Sequence, residues 1–304
     1  MNRRVSWSGS FVVAVTPFGR DGSFDEPAIR KLVECLITEG ADGLVMAGST
    51  GEWYTLTDAE RIRLFQVTVH QTKGRAKVLA GTSAIATSDA VALTLAAKDA
   101  GCDGVMLLPP PYVLPTEREL IAYFSAVDEV GLPIMLYNNP TRTGVNLDAR
   151  LLGKLLALKN IAALKDSVKD LSQLSATLRA YRDEIAVFVG FEGYVIPLVQ
   201  RGAVGMVGMS PNVLGRTGMD LFRHAARGEW KDAAALIEKI DLLYDQMYGS
   251  GQNPYVVVKD AMRLLGRPGG WPRPPLLPLA DADRETLRRF LIDFGALTGA
   301  EAAE

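Results

Sequence analysis

Eight short apolar runs, separated by helical patterns, leave few folds open to this chain. The runs are Phe11–Thr16, Gly43–Ala47, Val78–Gly81, Gly104–Leu108, Pro133–Tyr137, Ile161–Lys165, Ala186–Gly190 and Val204–Val207. They are continuously hydrophobic rather than alternating, which predicts strands covered on both faces, as in a parallel sheet. Helical stretches lie between them: Asp58–Lys73, Ser88–Ala100, Thr116–Val130 and Asp170–Arg182. Thr87 stands at the N-cap position of the second and Gly101 at its C′ position. Strand and helix alternating with short connections predict an α/β chain, a (β/α)8 barrel followed by a C-terminal helical extension. A doubly wound open sheet is the competing layout. It would carry a glycine-rich nucleotide fingerprint after its first strand, and Pro17-Phe18-Gly19-Arg20 is not one.

Beyond about residue 212 the strand signals stop. Leu214–Arg227, Trp230–Tyr248 and Pro254–Leu265 read as helices, a Pro-rich connector spans Arg267–Pro278, and Asp283–Thr298 is a last helix. Residues 1–227 are therefore assigned to the barrel and 228–304 to helices packed on it. Pro272-Arg273-Pro274-Pro275 reads as a stiff surface linker rather than a peptide ligand. Ala300–Glu304 reads as a frayed end.

The chain has 304 residues, 33 basic and 35 acidic, for a net charge of −2, which gives no broad basic field for nucleic acid. Cys35 and Cys102 form no spaced framework and read as two reduced thiols of a cytoplasmic protein. The basic start Met1-Asn2-Arg3-Arg4 precedes no apolar signal segment, and no apolar run approaches the roughly 20 residues of a membrane span. His70 and His224 fall in predicted helices without a second His or a Cys at ligand spacing, and Met106, Met135, Met206 and Met209 read as core filling. No metal site is expected from these residues.

Barrel active sites lie at the C-terminal ends of the strands. That rule selects Gly48-Ser49-Thr50-Gly51-Glu52, Pro109-Pro110-Pro111-Tyr112, Tyr137 through Gly144, Lys165-Asp166-Ser167, Gly190-Phe191-Glu192-Gly193 and Gly205–Gly208. Lys165 closes the apolar run Ile161-Ala162-Ala163-Leu164. Water-poor surroundings disfavour its charged form, and a neutral amine attacks a ketone to form a Schiff base. A tyrosine and a Ser/Thr hydroxyl would shuttle the protons, the turn Gly48–Gly51 offers backbone N–H groups to a carboxylate, and Arg142 offers a fork for a second one. Each feature also has a purely structural reading. Lys165 can pair with a buried acid, though not with Asp166, whose side chain points to the opposite face. Tyr137 can be a packed tyrosine, Arg142 a surface arginine, Gly48–Gly51 a simple tight turn and Glu192 a solvated loop acid. The glycines after strands seven and eight can hold a phosphate, as in many barrels.

Taken together, Gly48-Ser49-Thr50-Gly51-Glu52, Tyr137-Asn138-x-Pro140-x-Arg142-Thr143-Gly144 and Leu164-Lys165-Asp166-Ser167 resemble the dihydrodipicolinate synthase/N-acetylneuraminate lyase family, from about Gly9 through the helical tail. The resemblance implies that Lys165 forms the imine with pyruvate or a similar 2-keto acid, that Tyr137 is the acid/base tyrosine and that Ser49 joins the proton relay beside Thr50. It implies that Tyr112 reaches a neighbour's site across a dimer interface, and that Arg142 binds the second substrate's carboxylate. Thr50, Gly51, Gly190 and Val207 border the substrates. It further implies a homotetramer built from two dimers, needing no metal or organic cofactor. Within that family the leading assignment is condensation of pyruvate with aspartate semialdehyde, to 4-hydroxy-tetrahydrodipicolinate. The alternative is an aldolase or dehydratase of a 2-keto-3-deoxy acid. A phosphate-binding isomerase and a non-catalytic regulator stand further off. Ser49 and Pro111 replace residues typical of the synthases, a threonine and a tyrosine, and Trp53, Ile85 and Pro111 predict no feedback inhibition by lysine. Arg142 and Phe191 depart from the sialic acid lyases, which argues against a long polyol substrate.

Overall fold

A computed structural model of the chain describes residues 4–297. Eight strands carry the barrel: β1 (Gly9–Val13), β2 (Gly43–Met46), β3 (Lys77–Gly81), β4 (Gly104–Leu107), β5 (Ile134–Asn138), β6 (Ile161–Asp166), β7 (Ala186–Val189) and β8 (Gly205–Gly208). All neighbours are parallel, and β8 pairs back onto β1, so the sheet has no free edge. Between strands run α1 (Glu26–Thr38), α2 (Asp58–Thr72), α3 (Thr87–Asp99), α4 (Glu117–Asp128), α5 (Pro140–Thr143), α6 (Ala149–Leu155), α7 (Leu171–Tyr181) and α8 (Val195–Val199). After β8 come α9 (Pro211–Leu214), α10 (Arg216–Ala226), α11 (Trp230–Gly249), α12 (Pro254–Leu264) and α13 (Asp281–Asp293). None of the described helices is long and apolar enough to cross a membrane.

The strands are buried along almost their whole length, as expected for a sheet with side chains inside and helices outside. Inside the barrel, Phe11 of β1 and Phe188 of β7 meet at 4.9 Å between ring centres. Gly43 on β2 and Gly205 on β8 stand against these rings, where a Cβ would collide with them. The two glycines are thus the complement of an aromatic layer in the barrel core.

Several expected boundaries move. The first strand begins at Gly9 and ends at Val13, because pairing with β8 starts there. Val15 and Thr16 instead bond Asn212 Oδ1 and the Gly51 carbonyl. The N-cap of α3 is Ala86, not Thr87, whereas Gly101 takes the left-handed φ of +83° expected of a C′ residue. Helices the patterning did not single out include α1, α5, α6 and α8; α1 is capped by Asp25, which accepts from the Ala28 N–H, and carries Pro27 in its first turn. The helix expected over Leu214–Arg227 is broken at Gly215, whose φ is +54°. The last helix ends at Asp293; Thr298 and Ala300–Glu304 lie outside the described residues.

The Pro-rich connector lies on the surface as expected, with Pro274, Pro275, Leu277 and Pro278 exposed, but it is tied down rather than a free linker. Arg273 donates to both carboxylate oxygens of Glu60 at 2.8 Å, to Gly22 O at 2.7 Å and to Thr55 O at 2.8 Å. Trp271 bridges to Phe18, with its N–H on the Phe18 carbonyl at 2.9 Å. The guanidinium of Arg273 also lies 4.0 Å from the Phe18 ring centre. A charged group that satisfies several backbone carbonyls and one carboxylate fixes its segment in place, so the connector is a strap across the barrel.

Candidate active site

A cavity of about 440 Å³ opens at the C-terminal ends of the strands. At its base is Lys165, 4% exposed, near the end of β6. Parallel register sets it beside Tyr137 of β5, and its Nζ lies 4.2 Å from the Tyr137 ring centre. Burial pulls the Lys165 ammonium from its ordinary 10.5 down to about 7, against a smaller upward pull from the Glu192 carboxylate. Near neutral pH a large share of this amine is therefore unprotonated. Tyr137 is also buried, which raises its pKa, while Asn139 Nδ2 donates to its hydroxyl at 2.8 Å and Ser167 interacts with it as well.

Ser49, Thr50, Arg142, Gly190 and Val207 line the same cavity as Lys165 and Tyr137. Two expected residues do not. Gly51 sits beneath the turn, its carbonyl accepting from Thr16 Oγ1 at 2.7 Å. Tyr112 is 89% exposed, with φ +75°, and is not part of the lining of its own chain's cavity. Val113, Leu114 and Ile85 are exposed as well.

Glu192 is the clearest correction. It is not a solvated loop acid but 1% exposed, accepting from Ser210 Oγ at 2.5 Å and packed on Gly208. Burial raises its carboxyl to about 7, with the Ser210 hydrogen bond and the Lys165 charge opposing that rise. Asp166 faces away from Lys165 as expected; Asn138 Nδ2 and the Val168 N–H donate to its Oδ1, and burial raises it to about 6. Met106, Met135 and Met206 are core residues, but Met209 reaches the cavity wall.

Part of that wall was invisible to sequence reasoning. Tyr244 and Tyr248 of α11 and Tyr255 of α12 face the cavity together with Phe191. Phe191 and Tyr244 stack at 6.5 Å, and Lys169 Nζ lies 4.7 Å from the Phe191 ring centre. Arg142 lies 5.4 Å from the Tyr255 ring centre. Tyr255 is buried, which raises its pKa, and its hydroxyl is within interaction reach of Arg142 and Ser49. The only hints were their positions on two tail helices whose apolar faces read as ordinary packing.

His70 and His224 lie in α2 and α10. Among the described residues, one group could offer three ligands to an ion: His224, Glu229 and Asp232. It lies outside the cavity, and Arg227 already pairs with Glu229 at 2.8 Å.

Residues 6–293 match the family model described as the dihydrodipicolinate synthetase family. The chain is 43% identical to an uncharacterized DapA-like lyase of Rhizobium meliloti, over 95% of this chain and 98% of that one. It is 36% identical to the 4-hydroxy-tetrahydrodipicolinate synthase of Moorella thermoacetica, over 96% and 100%. Among solved structures, the dihydrodipicolinate synthase of Acinetobacter baumannii, complexed with pyruvate, superposes with a TM-score of 0.90 at 33% identity, covering 95% of this chain and 99% of that one. The chain belongs to the dihydrodipicolinate synthetase family and is a lyase of its lysine Schiff-base class.

Proposed function

We propose that the protein condenses pyruvate, held as an imine on Lys165, with an aldehyde that carries a carboxylate, aspartate semialdehyde being the first candidate. The observation that carries this reading is a nearly unexposed amine, with a pKa of about 7, at the base of a cavity that also holds Arg142. The neutral amine adds to the keto carbon of pyruvate, and loss of water gives the imine. Loss of a C3 proton gives an enamine, whose C3 attacks the aldehyde carbon; that oxygen takes up a proton, and water then releases the product and the free lysine. Tyr137 and Ser49 would carry the protons, with Thr50, Gly190 and Val207 bordering the keto acid and Arg142 holding the acceptor's carboxylate. Tyr112 would act in a neighbouring copy, within a homotetramer in the cytoplasm. Its exposure beside Val113, Leu114 and Ile85 supports such a contact.

A second reading, aldol cleavage or dehydration of a 2-keto-3-deoxy acid by the same amine, is favoured by Phe191 and Tyr244, which stacks on it. A phosphate-binding isomerase is disfavoured because the carboxyl group of Glu192 occupies the space over Gly208 where an anion would approach. Borohydride reduction in the presence of pyruvate tests the common step. A pyruvate-derived adduct mapped to Lys165 is expected, and its absence would remove the reading. Comparing aspartate semialdehyde with short keto-deoxy acids then separates the two reactions.

A further inference from the structure

The Gly48–Glu52 turn ends in a residue that the chemistry above leaves unused. Glu52 has a left-handed φ of +53° and is 0% exposed, and it forms an ion pair with Lys259, also 0% exposed. Each partner is held a second time. The Arg273 N–H donates to Glu52 Oε2 at 3.1 Å, and Lys259 Nζ donates to the Trp271 carbonyl at 2.9 Å. Lys259 Nζ also lies 4.5 Å from the Phe18 ring centre. The pair therefore joins three segments distant in sequence: the turn after β2, helix α12 and the strap.

Desolvation offsets most of the attraction within a fully buried ion pair, so such a pair defines a geometry more than it adds stability. The geometry here leads to the cavity in both directions. Ser49 precedes Glu52 by three residues and lines the cavity. Tyr255 precedes Lys259 by one helical turn on α12, and residues four apart share a helix face. Tyr255 lines the cavity together with Ser49 and Arg142, whose guanidinium lies 5.4 Å from its ring centre, and both side chains bear on its hydroxyl's titration. The distance between turn and helix is thus set at one end by the ion pair and read at the other by Tyr255 against Ser49.

We propose that Glu52 and Lys259 are positioning residues: their pairing holds α12 so that the Tyr255 hydroxyl stays on Ser49, and the tail helix thereby completes the proton relay. The proposal rests on Lys165 forming an imine with pyruvate, and its test is separable from that step. Imine formation is followed by borohydride trapping. Proton transfer at C3 is followed by NMR, as exchange of pyruvate methyl hydrogens for deuterium in D2O, which needs no acceptor aldehyde. The variant pair Glu52→Gln/Lys259→Met removes both charges and leaves no buried charge unpartnered. It should trap pyruvate as the parent does, while exchange slows roughly tenfold or more, within the range general acid–base groups contribute. Tyr255→Phe should slow exchange similarly, and adding it to the pair variant should cost no more, because both act through one hydroxyl. Parental exchange in Tyr255→Phe overturns the proposal, whether or not the pair variant folds. So does parental exchange in the pair variant, or a triple variant whose losses multiply. Absence of trapping in the parent chain would instead count against the imine itself.

Discussion

Replacing Lys165 by methionine should make the protein more stable, by an amount that depends on pH. The burial that makes this amine reactive also disfavours its charged form in the folded chain. A lysine that titrates near 10.5 when unfolded and about 7 when folded binds its proton less tightly in the native state. Below pH 7 both states are protonated and the full penalty is present. Between pH 7 and 10.5 the unfolded chain still holds a proton the folded one has released, so the penalty fades as pH rises. The span corresponds to about 5 kcal/mol at pH 6 and about 1.4 kcal/mol at pH 9.5, taking ~1.36 kcal/mol per pH unit. Lys165 is 4% exposed, so solvent screening removes little of this. Relaxation around a buried charge and repacking around methionine reduce the return, which leaves a gain of about 2 kcal/mol or more at pH 6. At that pH Glu192 is mostly protonated and gains little from the lysine's charge. The assay is urea unfolding at matched protein concentration, with circular dichroism and tryptophan fluorescence, at pH 6 and 9.5. A variant no more stable than the parent at pH 6, or equally stabilised at both, would refute the reasoning.

Two other perturbations follow from the same electrostatics. Glu192→Gln removes the carboxylate that holds the Lys165 value up, so the rise of pyruvate trapping with pH should move to lower pH; an unchanged or upward midpoint would contradict the coupling. Arg273→Met should destabilise the protein by about 2 kcal/mol at pH 7, through loss of a charge-assisted fork in a mostly shielded site. Because Arg273 holds Glu60 down at about 2, that gap should be fully present above the ordinary value of 4.5 and close as pH falls towards 2, as urea midpoints across that range would show.

The barrel was legible because its strands are apolar on both faces, a pattern the helices between them do not share. Lys165 stood out as a cation at the end of such a run, and the register of β5 and β6 sets it beside Tyr137. Residues near strand ends could be gathered by one geometric rule. That rule missed the helical wall, since Tyr244, Tyr248 and Tyr255 occupy positions where an amphipathic helix would carry aromatics for packing alone. It also missed the ion pair of Glu52 and Lys259, whose partners lie 207 residues apart. Glu192 was misread because a charged residue in a glycine-rich loop is ordinarily wet. Only the fold shows that Ser210 and Gly208 close around it. The strap was read only in part: its prolines suggested stiffness, but its arginine decided where it would lie.

The closure of β8 onto β1 has a consequence for how the chain is made. About 200 residues separate Gly9 from its partner Gly205. At the roughly 5–20 residues per second of synthesis, the first strand waits on the order of 10–40 s for the strand that completes it. Throughout that interval the apolar edge of β1 is available to other chains. The Lys165 segment also leaves the ribosome before Tyr244 and Tyr255 exist to wall its cavity. Crowded expression should therefore punish this fold during birth rather than afterwards, and a chaperone that shields β1 should raise the yield of active protein more than any gain in native stability.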